Sequence, residues 1–383
     1  MSKRGNDEGS IYKRRDGRYV ATINLGWEAG RRLRKSYYGS TRKAVADKLT
    51  VALRAHQQGL PIATDRQSLG QFLGRWLKDS VQPTVRERTY RSYGDLVRLH
   101  ITPELGRIPL AKLSPQDVQV FVNRKLDSGL SPRTVQYMHA VLRRALGQAE
   151  RWGTVPRNVA RLVSAPRVPR STTEPLTPDE ARRLLDTVRG ERLEALYTVA
   201  IAVGLRQGEA LGLHWADVDL GGGTLAIRHA LQWLDGEPSF VEPKTDRGRR
   251  TITLPGVTIA ALRRHRARQA EEKLRVGPDW HETGLVFTTQ TGGPLEPHAV
   301  TRQFQRRLAK AGIGHHRFHD LRHTCATLLL AQGVPLRVVM ETLGHAQIAT
   351  TADIYSHVLP TLMEEAAGKM DQALAATTLS GSV

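Results

Sequence analysis

Three hydrophobic patterns follow one another along the chain. Between residues 10 and 40 apolar and polar positions alternate with the period of two that strands require. The alternation gives Ser10–Lys13, Tyr19–Leu25 and Leu33–Tyr38, parted by turn signals at Asp16-Gly17 and Glu28–Gly30. Ser40-Thr41 then reads as a cap, opening a helical run from Arg42 to about Gln58. Residues 61–66 (PIATDR) read as a linker. From Ser68 to about Val163 the period is helical: Phe72, Trp76 and Leu77 share a face, and Thr89–His100 makes a second helix that the stretch HITPELG breaks. Ser114-Pro115 opens a helix through Leu126, and Ser131-Pro132 opens another to about Trp152.

The third pattern is mixed. Residues 165–175 (APRVPRSTTEP) are Pro-rich and polar, as linkers are. Thr177-Pro178-Asp179-Glu180 caps a helix to about Val188, and Glu191–Val203 forms the next, ending at Gly204. Strand signals follow at Thr224–Leu231, Ser239–Pro243 and Arg250–Leu254. Helices resume at Val257–Arg275, Pro297–Ala311, Leu321–Gln332, Pro335–Leu343 and from Thr350 onward. The expected fold is therefore mainly α with small β elements. It comprises a basic three-stranded sheet with one helix (1–60), a helical domain (66–165), a mixed α/β domain (174–360) and a tail (361–383) whose amphipathic pattern suits a helix, packed on its own domain or on a neighbouring subunit.

Charge changes this picture by its distribution. The chain of 383 residues carries a formal net charge of +20. Residues 1–60 hold 14 Lys and Arg against 5 Asp and Glu, residues 61–170 hold 19 against 8, and residues 171–383 hold 24 of each. The whole excess lies in the first 170 residues, which points to a polyanionic partner, nucleic acid before an anionic membrane surface. On the N-terminal sheet, Lys13, Arg14, Arg15, Arg18, Arg32, Arg34 and Lys35 make a candidate DNA-contacting face. No apolar run is long enough to span a bilayer and no secretory pattern is visible at the start. The single cysteine, Cys325, excludes an intrachain disulfide and suits a reducing cytoplasm. Arg- and Ala-rich usage points to a bacterial host of high GC content.

Candidate chemistry gathers in the neutral third. In GLRQGEAL, Glu209 lies three residues beyond Arg206 and can hold its guanidinium as a fork for phosphate oxygens. Lys244, in EPKTDRGRR, is the only lysine between Arg206 and Lys273 and sits between two strand signals. In HHRFHDLRHTC, His319 and Arg322 share one helical face, spaced to meet a small anion. Zinc is the alternative for this histidine-rich stretch, but structural zinc wants about four ligands at preferred spacings. Cys325 falls in an apolar helical pattern and is a poor nucleophile candidate. Last come Leu343-Gly344-His345 and, ten residues on, Tyr355. A lone tyrosine there would ordinarily be packing.

Taken in order, GLRQGEALGL, EPKTDRGRRTITLP, HDLRHTCATLLLAQG and LGHAQIATTADIYSHV resemble the tyrosine recombinase family, the phage-type integrases. The resemblance implies a SAM-like core-binding domain at 66–165 and a tyrosine recombinase catalytic domain at 174–360, with an arm-type DNA-binding domain before them. It implies that Arg206 and Arg322 clamp the scissile phosphate, that His319 is the acid/base histidine and His345 a second phosphate ligand. Lys244 would protonate the leaving 5′ oxygen, Glu209 support the first arginine, and Tyr355 be the nucleophile. The expected activity is site-specific integration and excision of a mobile element through a covalent 3′-phosphotyrosine.

That chemistry suits the residues. Arginines and histidines neutralise the charge that builds on phosphorus oxygens without a metal, and a phosphotyrosine conserves bond energy, so no cofactor, metal or ATP is expected. The implied partners are double-stranded DNA attachment sites, a homo-tetramer on that DNA, and an excisionase or host DNA-bending protein. No membrane is expected, and the setting would be the cytoplasm and nucleoid. A type IB topoisomerase shares the chemistry but not the separate arm-like domain, and a regulator that had lost the chemistry would form no adduct.

Overall fold

The computed structural model describes residues 9–28, 31–57, 67–169, 174–243, 248–344, 367–368 and 370–371. The chain divides into two compact units, Met1–Arg170 and Ser171–Val383. Among the described residues no helix is long and apolar enough to cross a membrane.

The first unit opens with an antiparallel sheet of β1 (Ser10–Lys13), β2 (Tyr19–Glu28) and β3 (Arg31–Gly39), in that order, followed by helix α1 (Arg42–Gln57). Ala21 and Ile23 of β2 pack on Val45, Leu49 and Ala52 of α1. This is the alternation that a sheet with one covered face imposes. On the other face Tyr12, Val20 and Tyr38 form one row across the three strands, with both tyrosines exposed and Val20 buried.

The helical part of this unit comprises α2 (Leu69–Trp76), α3 (Glu87–Leu96), the short α4 (Thr102–Leu105), α5 (Pro115–Asp127) and α6 (Pro132–Arg151). Its core holds Phe72, Trp76, Ile101, Phe121, Met138 and Leu142. Ser114 and Asp117 cap α5 reciprocally, and Ser131 caps α6, as their sequence signals require. One expectation fails here. The helix from residue 87 does not break at His100; it widens into a π-turn at Val97–Ile101 and continues through α4. The cause is Pro103, whose ring would strike the carbonyl four residues back in a regular helix. The wider turn accommodates the ring, and Thr102 N–H bonds Val97 O instead.

The second unit contains α7 (Pro178–Thr187), α8 (Glu194–Ala202), α9 (Gln207–Leu211), strands β4 (Val218–Asp219), β5 (Thr224–Ile227), β6 (Ala230–Leu234), β7 (Glu237–Val241) and β8 (Arg250–Thr253), then α10 (Gly256–Val276), α11 (Pro297–Lys310), α12 (Asp320–Ala331) and α13 (Leu336–Leu343). The centre is α8, predominantly apolar and buried throughout apart from Ala202. Around it pack Leu211, Leu225, Ile227, Leu262, Phe287, Phe304 and Leu321.

A second expectation is corrected in the strands. Thr224–Leu231 is not one strand. β5 pairs with β4 and β8, whereas β6 forms a separate hairpin with β7. The chain bends at Arg228-His229 because β6 must cross α9. A Cβ on Gly212 would stand 2.6 Å from Leu231 N, and one on Gly208 would stand 2.8 Å from Leu231 O. Two glycines thus admit the β6 backbone onto α9. The β6–β7 turn is Asp235-Gly236, both at positive φ, as a tight hairpin demands. The linker at 61–66, the helical signal from Thr350 and nearly all of the tail helix at 361–378 lie outside the described residues.

Candidate active site

The site begins where α8 ends. Gly204 adopts a left-handed φ of +69°, and a Cβ there would collide with Leu343 and press on Cys325 Sγ. The reversal starts α9 with Arg206 at its cap. Glu209 accepts from Arg206 N–H at 3.1 Å and from Arg206 Nη1 at 2.5 Å. Its Oε2 also accepts from Arg250 Nη2 at 3.1 Å. Burial alone would raise the Glu209 carboxyl, but Arg250 and Arg206 outweigh it and hold the group below the usual carboxylate range. Glu209 is therefore a buried anion shared by two guanidiniums.

The second half comes from the start of α12. Asp320, the first residue of that helix, accepts from Arg317 N–H at 2.7 Å and from Arg317 Nη2 at 2.8 Å. This brace fixes the turn that carries His319 at the helix cap. Arg322, one turn on, is 2% exposed and donates from Nη1 to Gly204 O at 2.8 Å and from Nη2 to Leu343 O. Burial, then Arg206 nearby, brings its guanidinium down to about 9, so it stays charged at neutral pH.

His319 presents an exposed edge, yet its packed side and the positive charge around it act in one direction. Partial burial, then His323, Arg322 and Arg206, push the imidazole down to about 4. The His319 and His323 rings meet edge to face, with centroids 5.3 Å apart. A neutral imidazole thus stands beside two fixed cations.

All three arginines converge on the end of α13. Arg250 Nε donates to Thr342 O at 2.8 Å, Arg322 to Leu343 O, and Arg206 Nη2 to Gly344 O at 3.4 Å. Gly344 closes the helix in the left-handed conformation. The last carbonyls of a helix lack intrahelical partners and form its negative end. Three successive ones here each receive a guanidinium, immediately before His345.

The structure therefore brings Arg206, Glu209, His319 and Arg322 together. Lys244, His345 and Tyr355 lie outside the described residues. Sequence reasoning missed Arg250, whose side chain is 7% exposed. Its only signal was the run RGRR, in which nothing separates it from Arg247 and Arg249. Cys325 is buried, which pushes its thiol up to about 12, in keeping with an inert packing role. Among the described residues, His315–His323 do not gather with acids or Cys325 into a metal-sized cluster.

The N-terminal cations do not share one face. Lys13 and Lys35 lie over the rings of Tyr19 and Tyr37, at 5.6 and 5.3 Å, on the side that carries the packed residues Ala21 and Ile23. Arg34 lies in register on the open side, exposed, near Tyr12 and Tyr38. Arg14, Arg15 and Arg18 are exposed around the β1–β2 turn. Arg32 lies in β3, and its side chain is outside the described set. The period of two in the strands separates what the sequence placed together.

Comparison with known proteins matches this architecture. Residues 174–361 match the phage integrase family, and residues 68–126 match the phage integrase N-terminal SAM-like domain. A tyrosine recombinase XerC-like protein of Caldanaerobacter subterraneus subsp. tengcongensis is 31% identical, covering 89% of this chain and 93% of its own. An integrase of Streptomyces ambofaciens is 32% identical over 97% of this chain and 98% of its own length. Among solved structures, the Tn1549 transposon integrase in complex with transposon right end DNA superposes with a TM-score of 0.67 at 21% identity, covering 78% of this chain and 99% of that one. A lambda integrase tetramer bound to a Holliday junction gives 0.57 at 17% identity, over 92% and 96%. The chain belongs to the phage integrase family of tyrosine recombinases, enzymes that cut and rejoin DNA strands. Its activity is DNA recombination of the integrase type.

Proposed function

We propose that Tyr355 is the nucleophile of this recombinase and that Arg206, Arg322, His319, His345 and Lys244 serve it. The phenol oxygen attacks the scissile phosphorus, the P–O5′ bond breaks, and a 3′-phosphotyrosine and a free 5′ hydroxyl result. A phenol has a pKa of about 10, so its proton must leave as it attacks. His319, neutral in the free protein, takes that proton. Lys244 gives one to the 5′ oxygen. Arg206 and Arg322 meet the charge on the non-bridging oxygens, and His345 adds a donor.

The observation that carries this reading is the fixing of both guanidiniums. Each is tied by carboxylate or carbonyl oxygens, so neither must reorganise when the phosphate arrives. The arginine-rich first unit supplies long-range attraction and separate DNA contacts: the open β1–β3 face for arm-type sites, and Arg143, Arg144, Arg151 and Arg161 along a groove of the helical part for the core site. The working form is a tetramer on two attachment sites, in keeping with the lambda integrase assembly on a Holliday junction. An excisionase or DNA-bending protein would set direction.

The test is a nicked suicide substrate carrying the core site. Wild-type protein should become covalently attached to the 3′ end, and Tyr355→Phe should bind with unchanged affinity and give no adduct. An adduct of undiminished yield from Tyr355→Phe would overturn the assignment.

A further inference from the structure

We infer that His214, Asp217 and His229 form a binding site for a divalent cation of the zinc class. Their donor atoms lie within 4.8 Å of one another. They come from two stretches that the fold joins: the turn leaving α9, and the bend between β5 and β6.

Each residue is prepared differently. His214 Nδ1 lies 3.0 Å from Gly212 O. A carbonyl can only accept, so Nδ1 carries the proton and Nε2 keeps its lone pair outward, the arrangement that orients metal-binding histidines. The Asp217 side chain is 7% exposed, and Arg228 Nε reaches its Oδ1 at 3.2 Å, which leaves Oδ2 as a donor. His229 Nδ1 is buried with no hydrogen-bond partner. Buried polar atoms are nearly always satisfied, and a cation would account for this one. The His214 ring is confined between His229 and Phe240, with centroids at 5.9 and 5.5 Å.

Two imidazoles and a carboxylate are a borderline donor set that zinc favours, with water completing a tetrahedron. Zinc bonds of about 2.0–2.1 Å put tetrahedral donors about 3.4 Å apart, so small side-chain rotations close the site. None of its three residues is assigned to the phosphate, although His229 lines one pocket with Arg250. Its cation would tie the end of α9 to the base of the β6–β7 hairpin, stiffening the bend that separates the two sheets.

The experiment uses the full-length, untagged protein stripped with a chelator. Zn2+ is titrated against a chromophoric competitor, and Co2+ absorption reports the coordination geometry. One equivalent should bind and raise the unfolding temperature. His214→Gln, Asp217→Asn and His229→Gln should each weaken binding by about 100-fold. His281→Gln and His319→Gln should bind as wild type. A second readout needs no variant: in wild-type protein Zn2+ should protect His214 and His229, but not His281, from carbethoxylation read by mass spectrometry. Absence of stoichiometric uptake, loss of uptake in His319→Gln, or equal modification with and without Zn2+ would overturn the site.

Discussion

The two units use their cations in opposite ways. In residues 1–170 the excess positive charge is spread over exposed side chains, and Arg14, Arg15, Arg18 and Arg34 all face solvent. In residues 171–383 the charge sums to zero, yet Arg322 and Arg250 are buried. Each of these two guanidiniums is committed to named oxygens. Exposed cations attract a polyanion from a distance and yield to salt. Buried, tethered ones contribute little at range but need no rearrangement when charge develops beside them. Net charge therefore locates affinity, and local fixing locates chemistry.

The sharpest way to break this contrast is Arg322→Lys. Lysine keeps the charge but cannot serve Gly204 O, Leu343 O and a phosphate at once. Adduct formation on the suicide substrate should fall by about 100- to 1,000-fold. Filter binding should stay within about twofold of wild type, since exposed cations elsewhere supply most of the attraction. A matching drop in binding would show that the second unit also dominates affinity.

Glu209→Gln tests the tether itself. It leaves Arg206 and Arg250 without their shared anion, and removing one partner of a buried pair costs about 3 kcal/mol. Chemical denaturation should show that loss at neutral pH. Glu209 is held low, so its contribution is present above the ordinary carboxylate value of 4.5 and drains away as pH falls through its lowered folded value. Wild type and Glu209→Gln should therefore converge in stability in acid. A constant gap down to low pH would point to packing rather than charge.

Much of this contrast was legible in the sequence, for a physical reason. Caps such as Thr177–Glu180 and Ser114–Asp117 are local, so four residues suffice to read them. The pairing of Arg206 with Glu209 is equally local, at a separation of three. Arg250 was not legible because its partners, Glu209 and Thr342, lie 41 and 92 residues away. The division of the N-terminal lysines from Arg34 was hidden because each turned on strand register and on a tyrosine beneath it. The bend at Arg228-His229 was missed because it answers to Gly208 and Gly212 on another element.

Changing the exposed cations should have the complementary effect. Replacing Arg14, Arg15, Arg18 and Arg34 by glutamine should flatten the salt dependence of binding to long DNA, by about 0.9 in slope for each phosphate that no longer meets a cation. Adduct yield on a short core-site duplex should not change. A lower yield on the short duplex would place these residues nearer the chemistry than the proposed division allows.

His319 sharpens the contrast from the side of protonation. The folded protein holds it near 4, against an ordinary 6.5. Between those values the unfolded chain binds more protons than the folded one, so stability from this group is complete above pH 6.5 and is lost as pH falls toward 4. The acid limb of cleavage at subsaturating DNA reports the free enzyme. It should lie below pH 6.5 and disappear in His319→Gln. A limb at or above the ordinary histidine value would mean that the surrounding cations do not act on this imidazole in solution.

The smallest effect belongs to the one residue near the site that looks reactive and is not. Cys325 lies one turn beyond Arg322, and its sulfur lies 3.1 Å from where a Cβ on Gly204 would be. It is 2% exposed, and burial raises its thiol to about 12, so no appreciable thiolate exists at neutral pH. Cys325→Ala removes only a sulfur from the small apolar patch formed with Ala326, Leu330, Val339 and Leu343, for a loss of about 1 kcal/mol. Adduct yield should be unchanged, and native wild-type protein should resist thiol alkylation until denatured. Because Arg322 and Leu343 flank this sulfur, a loss of cleavage in the alanine variant would mean that packing behind the arginines sets their position. The hydrogen bonds to Gly204 and Leu343 alone would then be too weak to hold the clamp, and the contrast between tethered and exposed cations would rest on the core as much as on the oxygens.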